Sequence, residues 1–193
     1  MNQIIKNTII LFVITLVAGI CLGTVHDITL DPIAQAQEAA ATKTYQEVYP
    51  DAASFDEPQE LADAVTAAAD SISEWGFGKV TINDAKEALD ASGNQIGYLI
   101  TSTSAESYGG NVQIAVGITN EGELTGIGFL SISDTPGLGM RAKEPDFKDQ
   151  FIGKKAENLE VTKTGASADN QIEAISGATI TSKAVTNATD AAI

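Results

Sequence analysis

The chain has 193 residues, room for one ordinary domain and an accessory segment, and its 44% apolar content is enough for a buried core. Its 26 acidic residues against 11 basic ones give a net charge of -15, which argues against a basic face for nucleic acid. A single Cys and a single His exclude an intrachain disulfide, a four-Cys cluster, a C-x-x-C-H haem site and an H-E-x-x-H zinc site, so any redox cofactor must be held by other means.

Thr8 to Val25 is an uncharged, mostly apolar run of 18 residues. As a helix it would be ~27 Å long, close to the hydrocarbon core of a bilayer. Lys6 precedes it, and Asp27 and Asp31 follow. The positive flank predicts a cytoplasmic N-terminus and an extracytoplasmic remainder. A cleaved signal peptide has a small-x-small candidate in Ala34-Gln35-Ala36, but this lies well past the apolar run, beyond two Asp and Pro32. A lipoprotein at Cys21 would need a small residue where Ile20 stands. The expectation is a retained anchor with residues 1–25 as cytoplasmic N-terminus and transmembrane helix, 26–44 as a stalk, and 45–193 as an extracytoplasmic domain.

Residues 27–78 hold 11 acids and one base, Lys43, which reads first as a solvated face. Within them, Asp56-Glu57-Pro58 suits a helix start, and Leu61, Ala64, Val65 and Ala68 form one face of a helix through Asp70. Strands are expected at Lys79–Ile82, Gln95–Thr103, Asn111–Thr119 and Leu124–Ile132. Ser92-Gly93-Asn94, Gly109-Gly110 and Asn120-Glu121-Gly122 mark the turns between them. Pro145–Phe151 reads as a short helix and Leu159–Thr162 as a further strand. A last helix starts near Thr179, with Ile180, Ala184, Ala188 and Ala192 on one side. The order predicts an α+β domain with a mainly antiparallel sheet and flanking helices behind a single transmembrane helix.

Two segments carry chemistry. Asp134-Thr135-Pro136-Gly137-Leu138-Gly139 contains the D-T-P-G of GTPases, but no phosphate loop accompanies it: Gly78-Lys79 is followed by Val80 and Gly153-Lys154 by Lys155. What remains is a turn after a strand, stiffened by proline, with two glycines that leave backbone open to a flat ring; a plain turn is the alternative. Ser176-Gly177-Ala178-Thr179, followed by Ile180-Thr181-Ser182, places small residues and hydroxyls at a helix start, where unpaired N–H groups and the helix dipole favour an anion. The alternative is an N-capping cluster with nothing bound. Thr181 and Ser182, a little further into the first turn, suit hydrogen bonds to a phosphate or to backbone.

Together the two segments resemble the covalent FMN-binding subunits of bacterial redox-driven ion pumps, the RnfG and NqrC family. The resemblance covers nearly the whole chain, anchor included. The short length and the junction Leu22-Gly23-Thr24-Val25-His26-Asp27-Ile28-Thr29 favour the RnfG branch. It implies FMN joined by a phosphodiester to Thr179, with Ser176, Gly177, Ala178, Thr181 and Ser182 around the attachment and Thr135, Pro136, Gly137, Leu138 and Gly139 as the second flavin-contacting segment. Three residues before Ser176, where the family usually has Asp, stands Glu173. The implied partners are other membrane subunits of an Rnf complex and a flavin transferase, at the cell membrane. The implied role is an electron relay inside an ion-translocating oxidoreductase, without turnover of its own. An NqrC-like role in a quinone-reducing pump, and an anchored binding or scaffold domain without redox function, are the competing readings.

Overall fold

In a computed structural model, which describes residues 2–72 and 74–193 (all but the Asp70 side chain), the chain divides into two units, Met1–Ala41 and Thr42–Ile193. The first unit is helical from Gln3 onward. Its helix, α1 (Gln3–Val48), is long and apolar enough to cross a membrane, and no residue of its apolar window is buried. The segment expected as a stalk, 26–44, is helical: α1 runs through it, past Pro32, and its last turns from Thr42 belong to the second unit. The Ala/Gln run at 34–41 explains this, because nearly every residue in it is a good helix former.

The second unit is built on a five-stranded antiparallel sheet of β1 (Ser54–Asp56), β2 (Val80–Leu89), β3 (Gln95–Ser107), β4 (Gly110–Thr119) and β5 (Leu124–Ile132), in that spatial order. β5 has the expected limits. β2 runs seven residues past the expected Ile82, to Leu89. Asn83-Asp84-Ala85-Lys86-Glu87-Ala88-Leu89 is composed largely of residues that favour helix, yet it pairs along β3, so long-range pairing overrides local preference. A bulge between Ile82 and Asp84 resets the alternation there. Asp56 closes β1, and α2 (Gln59–Ile72) begins just after Pro58. Of the expected α2 face, Leu61, Val65 and Ala68 are half-buried but Ala64 is exposed; Ile72, buried, completes the stripe instead.

One face of the sheet carries Val112, Ile114, Val116, Ile127 and Ile132, and packs against α4 (Thr179–Asp190) and the α3 (Pro145–Lys148) segment with Phe147 and Phe151. α3 continues as a 3-10 turn, Asp149–Phe151, so the expected short helix is present in two pieces. On the other face, Leu99 and Ala115 meet Val48 at the end of α1. Gly128 permits this approach: a Cβ there would stand 2.6 Å from Val48 Cγ2. Thr125 Oγ1 donates to the Val48 carbonyl at 2.7 Å and Tyr49 Oη to that of Ile96 at 2.8 Å, which ties the entering chain to the sheet. A small parallel pair, β6 (Glu160–Thr162) and β7 (Gln171–Glu173), lies outside the main sheet; β7 has no alternating pattern to announce it.

The helix α4 is buried almost all round. Ala184, Ala188 and, just beyond its end, Ala192 face the core as expected, but Ile180 is 55% exposed, and Thr181 and Val185 take the inward positions. At the far end of α4, Asp190 is buried beside an open cleft of ≈ 320 Å³ lined by Trp75, Phe77, Ala156, Glu157, Asn158 and Ile193. Burial pushes its carboxyl up to about 6, against the pull of the Leu159 N–H, which donates to Oδ1 at 2.8 Å. A folded-state value above the unfolded one contributes stability that is complete below about pH 4 and lost as pH rises through 6. The loss is at most about 3 kcal/mol, and less because the cleft is open. Asp190→Asn keeps an acceptor for Leu159 and removes the charge. Its melting temperature should exceed that of the wild type at pH 8 by a few degrees and match it at pH 4; equal values at both pH values would contradict this.

Candidate flavin site at the start of helix α4

The two sequence segments meet in space. Thr135-Pro136-Gly137-Leu138 is a turn in which the Thr135 carbonyl accepts the Leu138 N–H at 3.2 Å, with Gly137 at φ +75°. Pro at the second position and a positive-φ Gly at the third are what a type II turn requires. Ile175-Ser176-Gly177-Ala178 repeats the device: the Ile175 carbonyl accepts the Ala178 N–H at 2.9 Å, with Gly177 at φ +80°. A Cβ on Gly177 would stand 3.3 Å from Leu138 Cδ2, so the two turns are in side-by-side contact. Thr135, Pro136, Gly137, Leu138, Ser176 and Gly177 are exposed, and Gly139 and Ala178 are buried beneath them.

Thr179 opens α4 and is half-buried. The preceding N-cap residue is Ala178, which has no side-chain acceptor, and no other side chain caps the helix. The N–H groups of Thr179, Ile180 and Thr181 therefore have no acceptor among the described residues, and neither does the Thr179 hydroxyl. Four hydroxyl residues surround this helix start, yet none caps it. That speaks against the capping-cluster alternative, and unpaired N–H groups at a helix start are the kind of donor an anion takes.

Thr181 and Ser182 are placed differently from Thr179. Both are buried, and both hydroxyls are used within the protein. Thr181 Oγ1 donates to Asp134 Oδ2. Ser182 Oγ donates to the Ala178 carbonyl at 3.0 Å and accepts the Ile175 N–H at 3.0 Å, which pins the turn before the helix. Of the two uses expected for them, the backbone one is made by Ser182; neither hydroxyl faces the open side. Glu173 lies at the exposed end of β7, and Gln150 Oε1 accepts its N–H at 2.7 Å.

Three contributors were not among the expected site residues, although Asp134 and Ile180 stand within the two segments. Asp134 is only 5% exposed, and its carboxylate also accepts from Ser107 Oγ at 2.7 Å and from the Gly109 N–H at 2.5 Å, which draws the β3–β4 turn into the site. Tyr108, between these two donors, and Ile180, beside Thr179, are large side chains left exposed. With Leu138 they offer apolar surface around the open turns, as a planar aromatic ligand needs. The fit to FMN rests on this donor set: free N–H groups and a free hydroxyl for the phosphate, and uncovered backbone with apolar side chains for the ring.

Residues 107–193 match the FMN-binding domain model and residues 1–48 the RnfG N-terminal region. The G subunit of the Na(+)-translocating ferredoxin:NAD(+) oxidoreductase complex of Acetobacterium woodii is 35% identical, aligned over 98% of this chain and 90% of its own. The G subunit of the proton-translocating ferredoxin:NAD(+) oxidoreductase complex of Clostridium ljungdahlii is 30% identical over 100% and 91%. Among solved structures, Shewanella oneidensis NqrC aligns with 74% of this chain and 66% of its own, at 18% identity and a TM-score of 0.49. A match over nearly the whole chain at these identities, with the candidate site and the long apolar helix both inside it, places the chain in the family of G subunits of Rnf-type ion-translocating oxidoreductase complexes.

Proposed function

We propose that this chain carries FMN on Thr179 through a phosphodiester and relays electrons within a membrane complex that couples ferredoxin:NAD(+) electron transfer to ion translocation. The observation that supports it most is the uncapped start of α4, where the Thr179 hydroxyl and three N–H groups have no partner among the described residues, beside two glycine turns. Attachment is the work of a separate flavin transferase acting on FAD. The Thr179 oxygen bonds to the FMN-side phosphorus, the bond from that phosphorus to the bridging oxygen breaks, AMP leaves, and the hydroxyl proton passes to the transferase or to water. The bound flavin supplies one- and two-electron chemistry, and the protein supplies binding, orientation and surroundings.

The doubly esterified phosphate retains one negative charge, which the α4 N-terminus stabilises by roughly 0.3–1 kcal/mol. In a chain of net charge -15 this help matters. Lys183, exposed one turn beyond Thr179, adds to it: i and i+4 positions share a helix face, and its side chain leans toward the N-terminus. Lys154 is further committed, donating to the Asp169 carbonyl at 2.6 Å. A covalent link also suits a domain outside the cytoplasm, where a lost flavin has no ready replacement.

A denaturing gel under ultraviolet light, with mass spectrometry of the tryptic peptide 164–183, tests the reading after co-expression with an active transferase. A fluorescent band and an FMN adduct on Thr179 are expected; a colourless, unmodified chain would favour a non-redox binding domain. The orientation has its own check. Protease added to intact cells or right-side-out vesicles should cleave beyond residue 45, and full protection would reverse the proposed topology.

A further inference from the structure

Asp134 touches all three segments that make the site, yet its carboxylate faces no Lys, Arg or His in an ion pair among the described residues. A buried carboxylate is expensive unless donors surround it. Here the donors are Ser107 Oγ, the Gly109 N–H and Thr181 Oγ1, from the β3–β4 turn and from α4.

We propose that Asp134 is a positioning residue for flavin attachment: through Thr181 it fixes the rotation of the first turn of α4, so that Thr179 and the free N–H groups face outward. The proposal rests on the reading of Thr179 as acceptor. Successive helical residues are about 100° apart, so Thr179 lies about 200° round the axis from Thr181. Locking Thr181 inward therefore turns Thr179 outward, in line with their burial, 1% exposed for Thr181 and intermediate for Thr179. An ordinary N-terminal Asp caps a helix by accepting its N–H groups. Asp134 instead accepts a side-chain hydroxyl, which anchors the helix and leaves those N–H groups unspent for a phosphate. Its negative charge near the helix start also suits the dipole without occupying the anion site.

The full-length protein in detergent, incubated with active transferase and FAD, supplies the test, read as the time course of the adduct on peptide 164–183 and the melting temperature. Thr181→Val, isosteric but without the hydroxyl, should label about tenfold more slowly or worse, since small misplacements of a reacting group cost large factors. Thr181→Ser should recover most of the rate. Thr125→Val removes the bond to the Val48 carbonyl, away from the site; it should lower the melting temperature comparably and label near the wild-type rate. Asp134→Asn, which matches the carboxylate in shape, should be folded and slow, which keeps the question open to measurement if Thr181→Val does not fold. Wild-type labelling rates in Thr181→Val or Asp134→Asn, or equal slowing in Thr125→Val, would overturn the positioning role. A wild-type chain that is not labelled at all would overturn the Thr179 reading on which it rests.

Discussion

Thr179→Ala is expected to abolish covalent flavin in a protein that still folds. The hydroxyl has no partner among the described residues, so its removal breaks no hydrogen bond there, and alanine is readily accommodated in a helix. The expected stability change is below about 1 kcal/mol, well under the cost of losing a working cap. The chemical effect is total, because the oxygen that carries the phosphodiester is gone. Thr179→Ser keeps the oxygen and should keep part of the fluorescence. Ser182→Ala has the opposite profile. It leaves the acceptor in place but strips the Ile175 N–H of its partner, a buried loss of about 1–3 kcal/mol, so the band should persist in a less stable protein. A fluorescent band in Thr179→Ala would move the attachment elsewhere, and the tryptic map would show where.

The sequence was most legible where local chemistry and global fold agree. Leu124–Ile132 alternates and is bounded by turn residues, and it is a strand with those limits. Ser176-Gly177-Ala178 before Thr179 reads as a helix start, and α4 begins at Thr179. It was least legible where distant contacts decide. Residues 83–89 have helical composition and become strand because β3 lies alongside. Ile180 belongs to the apolar stripe of α4 by spacing but is outside, because Asp134 reaches across from another segment and draws Thr181 inward. Asp134 itself stands inside a recognised motif, yet nothing in Asp-Thr-Pro-Gly says that its partners are Ser107, Gly109 and Thr181. Those contacts exist only once the sheet brings the β3–β4 turn beside the end of β5.

The two glycines of the turn should respond to substitution in opposite ways. Gly137 has φ +75° and nothing within 4 Å of a built Cβ, so Gly137→Val meets open space and a backbone penalty of about 1–2 kcal/mol. It should fold, keep much of its covalent flavin, and shift the flavin spectrum or potential if the ring rests on this turn. Gly139 has no positive φ but no room either. A Cβ there would stand 2.6 Å from Asp134 Cβ and 2.7 Å from Thr181 Oγ1, and closer still to Asp134 Oδ2. Gly139→Ala, the smaller change by volume, therefore wedges apart the contact that orients α4. Overpacking of a buried site costs about 1–3 kcal/mol, and here the displaced atoms are hydrogen-bonded and buried, which places the loss near the top of that range or above it. At about 2–4 °C per kcal/mol for a domain of this size, the melting temperature should fall by about 6–12 °C. The labelled fraction should fall with it, further than in any variant of equal stability made away from the site. If Gly139→Ala melts and labels like the wild type, then the close packing of Asp134 and Thr181 around that glycine does not govern the site, and the orientation of Thr179 must be set by the Ser182–Ile175 bond alone.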